Sequence, residues 1–261
     1  MRRDYDMIVR HFSGDEIEIY PIGDVHLGAQ EHRAKEWKQF CDSFLEKPNA
    51  YLILVGDLID NGTRSGVTDI FKATMPPSSQ KRMMAEMLAP LKDRIIAVVP
   101  GNHCARSGKD ADDDPCLDIC SKLDIEDLYR PNAAFIKVQM GIRGENGANR
   151  PAWTICAMHG AGGGIYTGAS VNRAERFAQT IDGLNILILG HSHKSFTTKP
   201  MKIVVDPRNE VVSQKPFFVV SVGSWMEFGG YAMRKMLLPS SPALQVIRLN
   251  RFGKKTTVET V

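Results

Sequence analysis

The chain has 261 residues, 43% of them hydrophobic and 24% charged, with a net charge of +3. These ordinary globular proportions exclude a collagen-like, disordered or coiled-coil protein, and the length suits one large α/β domain spanning residues 1–261. Charge is uneven: residues 1–130 hold 17 Lys and Arg against 23 Asp and Glu, a net of −6, whereas residues 131–261 hold 16 against 7, a net of +9, which permits an anionic partner but equally describes a solvated basic face.

In chain order, Met1-Arg2-Arg3-Asp4-Tyr5-Asp6 has the charge but not the apolar stretch of a secretion signal. No later apolar run approaches the ~18 residues that cross a bilayer. A cytoplasmic protein without a membrane partner is predicted, and its five cysteines, which lack zinc-type pairing, are read as reduced thiols. A buried strand is predicted over Ile17–Ile22. A helix over Ala34–Glu46 follows, placing Trp37, Phe40, Phe44 and Leu45 on one face, then a strand over Tyr51–Val55. The helix predicted over Gln80–Leu91 carries Met83, Met84, Met87 and Leu88, which read as core filler rather than a soft metal site. After a strand over Ile95–Val99, Arg106–Pro115 reads as a polar loop whose Asp110, Asp112, Asp113 and Asp114 form a solvated turn. A second polar loop is expected over Gly141–Pro151. Strands over Trp153–Ala157 and Ile186–Leu189 bracket a helix over Ala169–Ile181. From Ile203 onward, Val204-Val205, Phe217–Val222 and Leu244–Leu249 read as strands of a second sheet. Short apolar runs with helices between them predict a layered α/β protein.

The residues that follow the five strands carry the chemistry. Gly23-Asp24-Val25-His26 follows the first, Gly56-Asp57-Leu58-Ile59-Asp60 the second and Gly101-Asn102-His103 the third. The fourth ends in His159-Gly160 and the fifth in Gly190-His191-Ser192-His193. Loops at the carboxyl ends of strands in open α/β sheets converge on one crevice, so five of the chain's seven His should meet two Asp and one Asn. Burying so many polar groups is costly unless a cation satisfies them. Carboxylate, amide and imidazole donors without thiolate suit Mn²⁺, with Fe or Zn²⁺ as alternatives, and the His excess argues against a pure Ca²⁺ or Mg²⁺ site. The donors exceed what one tetrahedral ion needs and fit two divalent ions ~3.5–4 Å apart sharing a carboxylate.

The series Asp-x-His, Gly-Asp, Gly-Asn-His, His and Gly-His-x-His between Gly23 and His193 resembles the calcineurin-like metallophosphoesterases. The resemblance implies a four-layer fold of two facing mixed β-sheets flanked by helices, with two metals at the sheet edge. It implies that Asp24, His26 and His193 hold the first metal, that Asn102, His159 and His191 hold the second, and that Asp57 bridges them. His103 then stays off the metals and acts catalytically on the leaving group, oriented by Asp60. A metal-bridging hydroxide would attack phosphorus in line, with no covalent enzyme intermediate.

Local features bear on the substrate. Asn61 stands where phosphoprotein phosphatases of this family carry a phosphate-gripping Arg, and Cys104 stands in place of the Glu that follows their Asn-His pair. Asp24-Val25-His26-Leu27-Gly28 is similar to the opening motif of nuclease subunits in double-strand-break repair, although no extra domain of the kind those subunits use is evident. Arg106, three residues beyond His103, is the preferred substrate-binding residue over Arg33 and Arg64. Gly160-Ala161-Gly162-Gly163-Gly164 reads either as a phosphate-approaching loop or as a flexible connection, and His11 and His32 are assigned to the surface. The expected activity is hydrolysis of a phosphodiester, of nucleic acid or a nucleotide. A phosphomonoesterase is the alternative enzyme, and a non-catalytic scaffold the alternative outside enzymes.

Overall fold

The computed structural model describes residues 5–64, 66, 70–142, 150–239 and 241–261. Most of the predicted loop at Gly141–Pro151, residues 143–149, therefore lies outside the described residues, as do Met1–Asp4. The elements are β1 (Ile8–Phe12), β2 (Glu16–Ile22), α1 (Ala34–Phe44), β3 (Ala50–Val55), α2 (Pro77–Leu88), β4 (Ile95–Val99), α3 (Asn102–Ala111), α4 (Pro115–Lys122), β5 (Ala133–Met140), β6 (Ala152–Met158), α5 (Thr167–Ala178), β7 (Ile186–Leu189), β8 (Phe196–Thr198), β9 (Met201–Asp206), β10 (Val211–Pro216), β11 (Phe218–Ser221), α6 (Gly230–Arg234), β12 (Gln245–Asn250) and β13 (Lys255–Thr260).

Two sheets form the centre. One runs β13-β12-β2-β3-β4 and the other β1-β5-β6-β7-β11-β8, while β9 and β10 pair as a separate antiparallel ribbon. The strands β2, β3 and β4 are mutually parallel, as are β6 and β7. Every residue of β4 and all but Tyr51 of β3 are buried, as parallel strands covered on both faces require. The inner faces share one core that joins Ile19, Leu52 and Ile53 to Ile136 and Ile155. Trp37, Phe40 and Phe44 of α1 pack with Met84 and Leu88 of α2 in that core, whereas Ala174 and Ala178 of α5 lie on the opposite side with Leu187 and Val219. Helices therefore cover both outer faces, giving the expected four layers. Among the described residues no helix is long and apolar enough to cross a membrane, and all five cysteines are free and buried.

Three expectations are corrected. Arg106–Ala111 is not loop but the body of α3, a helix that buries little more than Cys104 and Ser107 and so shows no apolar stripe. The carboxylates after it are engaged rather than merely solvated. Asp114 caps α4 by accepting from the amides of Cys116 and Leu117 at 3.1 and 3.0 Å, and Asp113 meets Lys81 at 3.3 Å. The tail does not build one second sheet either, because β9 and β10 pair only with each other, β11 pairs with β7 in one central sheet and β12 pairs with β2 in the other. Finally, Leu45 is exposed and Cys41 takes its place on the buried face of α1, because the helix ends at Phe44.

Candidate metal centre

The ends of β2, β3 and β4 bring in Asp24, His26, Asp57, Asn102 and His103. The ends of β6 and β7, in the facing sheet, bring in His159, His191 and His193. The turns are tight. Asp24, His26, Asp57, His191 and His193 all have left-handed backbone, with φ between 49° and 67°, a conformation costly for residues with a Cβ and concentrated at functional sites. Gly56 (φ 89°) and Gly101 lie against each other, and an added Cβ at Gly56 would come within 2.6 Å of His159 Nδ1, while one at Gly101 would strike the Asp57 carboxylate. The glycines of these motifs thus make room for the neighbouring ligand.

Among the described residues three groups of donors result, the third of them, His26, Asp60 and His103, sharing His26 with the first. In the first, Asp24, His26 and His193 converge, with Asp24 Oδ1 3.5 Å from His193 Nε2 and 3.9 Å from His26 Nε2, and the two imidazole Nε2 atoms 3.1 Å apart. In the second, Asp57 Oδ2 is 3.2 Å from His159 Nε2, and Asn102 Oδ1 is 2.9 Å from His159 Nε2 and 2.8 Å from His191 Nδ1. His159 turns its other nitrogen, Nδ1, to the Val55 carbonyl at 2.7 Å, the kind of backbone anchor that orients a metal-ligating imidazole. Asp57 Oδ1 accepts the backbone N–H of His103 at 2.9 Å, so the N-terminus of α3 holds this carboxylate.

The residues fit divalent cations. Asp24 Oδ1 is buried without a hydrogen-bond partner, a costly arrangement for a carboxylate that a cation would relieve. Burial, with His103 adding to it, holds His26 well below the usual imidazole range. Burial and the charge on His159 take His191 down to about 4, and His193 is likewise brought to about 4. Neutral imidazole is the form that offers a lone pair to a metal. Burial pushes Asp24 up to about 7 against the pull of His159. Burial also opposes charge on His159 and Asp57, yet their mutual hydrogen bond prevails, raising His159 to about 9 and holding Asp57 below the carboxylate range. A cation bound by Asp57 and His159 would take the place of that proton.

His103 lies beside the first two groups, its Nε2 3.8 Å from Asp57 Oδ2. Its Nδ1 is 2.5 Å from the Asp60 backbone carbonyl and 3.5 Å from Asp60 Oδ1, so the near partner is the main chain of Asp60 rather than the carboxylate. That carboxylate also stands 3.9 Å from His26 Nδ1. Arg106 places its guanidinium 3.0 Å from His103 Nε2 and 3.2 Å from Nδ1; burial and this cation lower the His103 pKa against the pull of Asp57.

A cleft of about 450 Å³ opens over the constellation, and His26, Asp57, Asn102, His103, Arg106, His191 and His193 line it. Arg33 and Arg64 do not. Arg33 donates to the Met226 carbonyl at 3.2 Å, and Arg64 is exposed. Asn61 turns away from the cleft, its amide donating to the His103 carbonyl at 2.7 Å and to Ser107 Oγ at 2.8 Å. Gly28 has φ 100° with the Gln80 side chain where a Cβ would stand, so the turn by itself accounts for this glycine. His11 is exposed, whereas His32 is half-buried and its Nδ1 lies 2.8 Å from the Val25 carbonyl; it braces the first ligand loop instead of standing free at the surface. Gly162, Gly163 and Gly164 reach the cleft on a loop held by Arg173, 2.8 Å from the Ala161 carbonyl, and by Lys194, 2.7 Å from the Gly164 and Ile165 carbonyls. No motif flags Arg173 or Lys194, since their partners are main-chain atoms.

The family model described as calcineurin-like phosphoesterase matches residues 17–195, the stretch that contains every donor named above. The DNA polymerase II small subunit of Halobacterium salinarum, in two strains, is 34% identical over 96 residues, covering 32% of this chain and 17% of that subunit's length. Among solved structures, a conserved Streptococcus pneumoniae protein described as a predicted phosphoesterase aligns over 95% of this chain and 100% of its own, with TM-score 0.38 and 12% identity. The Haemophilus influenzae NAD nucleotidase aligns over 94% of this chain and 49% of its own, with TM-score 0.41 and 10% identity.

Proposed function

Because the chain belongs to the calcineurin-like phosphoesterases, and is thus a metal-dependent phosphoester hydrolase, we propose that it is a cytoplasmic two-metal phosphodiesterase acting on nucleic acid or a nucleotide, with Mn²⁺ as its working ion. The observation that carries the two-metal reading is the pair of donor groups, Asp24, His26 and His193 in one and Asp57, His159 and His191 in the other. Asn102 would join the second through Oδ1, and Asp57 would be the carboxylate shared with the first. When bound, the cations supply charge to the phosphoryl oxygens and a coordinated water of lowered pKa.

The protein's own side chains do the rest. His103, anchored at Nδ1 by the Asp60 carbonyl, directs Nε2 at the departing oxygen and stabilises or protonates it. Asp60, between His26 and His103, orients both rings. Arg106, beside His103 in the cleft, binds a non-bridging phosphoryl oxygen.

A diester is favoured because Asn61 supplies no guanidinium to the cleft, and a monoester dianion gains most from a fixed cation. The nucleic-acid part draws support from the partial likeness to a DNA polymerase subunit and from the basic C-terminal half. Arg106 is the observation that favours the monoester reading, since it places one cation where a dianion would sit. The test is kcat/KM for bis(p-nitrophenyl) phosphate against p-nitrophenyl phosphate after chelation and Mn²⁺ reloading, followed by single-stranded and linear DNA. A higher value for the diester is expected, and a clear monoester preference would overturn the assignment.

A further inference from the structure

The cleft has a second wall that the reaction does not use. Besides the donors it is lined by Ile165, Met226, Phe228, Ala232, Leu237 and Leu238. Four of these side chains stand open to solvent: Ile165 is 46% exposed, Phe228 42%, Leu237 37% and Leu238 51%. All but Ile165 lie beyond residue 195, where the family match ends. We infer that it is the specificity subsite of the reaction proposed above, and that it receives an uncharged apolar substituent of the phosphoester, an aromatic ring or an alkyl chain.

Three observations carry this. The wall is built into the metal centre. Trp225 donates its N–H to the Asp24 carbonyl at 3.0 Å and Ser224 Oγ donates to the same oxygen at 3.2 Å. The indole of Trp225 also lies edge-on to Trp37 of α1 with centroids 5.0 Å apart. The wall and the donors line one cleft, and the segment leading into Met226 and Phe228 is tied to the first ligand loop, so a substituent of a phosphoester held at the donors can lie along the wall. The size fits, because clefts of this volume with an apolar lining and a few convergent polar groups enclose small molecules. Charge selects among possible substituents. Glu31 and Glu227 also face the cleft, the Glu227 amide donates to the Glu31 carbonyl at 2.7 Å, and the Glu31 side chain lies against Gly230. Lys194 lines the cleft as well, but its ammonium is held by the Gly164 and Ile165 carbonyls, so where the wall meets Glu31 and Glu227 a neutral hydrophobic group is the favoured occupant.

The test keeps the leaving group constant and varies the other ester. Methyl, phenyl, naphthyl and octyl p-nitrophenyl phosphates are assayed with the Mn²⁺-loaded full chain, and calorimetry compares phenylphosphonate and octylphosphonate with methylphosphonate. From methyl to the largest apolar group kcat/KM should rise about tenfold, as burial of roughly 55 Å² of apolar surface gives, chiefly through KM. Phosphonate affinity should follow the same order. Leu237→Ser with Leu238→Ser should flatten both series, and Phe228→Ser, on a separate stretch of the wall, should flatten them in part if the double variant fails to fold. A steeper gain for naphthyl than for octyl identifies a ring, and the reverse identifies a chain. Equal kcat/KM across the esters together with equal phosphonate affinities would overturn the subsite while leaving the diesterase reading intact. Absence of turnover for every ester with graded phosphonate binding would instead remove the diesterase reading and keep the subsite.

Discussion

A methyl group on Gly101 would collide with the Asp57 carboxylate, although the backbone there is extended and suits any residue. Gly101→Ala is therefore expected to displace Asp57 and lower metal content from two ions per chain towards one, read by elemental analysis after Mn²⁺ loading, with circular dichroism unchanged. Asp57→Asn should have the same effect by weakening the shared ligand, and a stoichiometry unmoved by either substitution would remove the bridging role. His103 behaves differently, because its ring nitrogens face Asp60, Arg106 and the cleft. His103→Ala should keep both ions yet lose about 10²–10⁴-fold in turnover. The loss should shrink for leaving groups acidic enough to depart without a proton. Metal loss as severe as that of His191→Ala would merge ligand and catalyst into one.

Two elements depend on single side chains remote from the cleft. Asp114 caps α4 through two amide hydrogen bonds and also accepts the Tyr129 hydroxyl. Asp114→Ala should cost about 1–2 kcal/mol, seen as a lower urea midpoint at unchanged slope, with kcat/KM retained. Glu18 joins β2 to the tail strand β12 through Arg248 Nε at 2.8 Å. Burial raises its pKa, but the hydrogen bonds from Arg248 and Tyr20 outweigh burial and leave it lowered from the ordinary 4.5. A lowered folded pKa means that the stabilisation is present above 4.5 and is lost as pH falls through the folded value. Stability of the parent protein should then fall more steeply below about pH 4.5 than that of Arg248→Met. Parallel acid-denaturation curves would show that the pair contributes nothing.

For the whole molecule, the uneven charge makes a prediction about polymers. The C-terminal half carries a net +9, and phosphates of a nucleic acid held by such a surface release counterions on binding, so affinity falls steeply with salt. Oligonucleotide cleavage should weaken strongly between about 50 and 200 mM salt, whereas p-nitrophenyl diesters should respond little. Equal salt responses would assign the basic half to solvated surface and confine recognition to the cleft.

Most of the candidate metal centre is legible in the sequence, because its donors follow buried strands and strand ends of a layered sheet meet. Gly23, Gly56, Gly101 and Gly190 mark those turns by type. What periodicity cannot express is which sheet a strand joins. Nothing local in Phe218–Ser221 or Gln245–Asn250 tells that one pairs with β7 and the other with β2, since both choices bury the same apolar residues. The polar helix α3 carries no apolar periodicity because it buries only small side chains, and its N-terminal grip on Asp57 is a main-chain contact. The apolar wall over the cleft was equally hidden. Phe228, Leu237 and Leu238 are apolar by type, and only the folded chain leaves them exposed beside the donors, because burial is a property of the folded surface and not of the residue type.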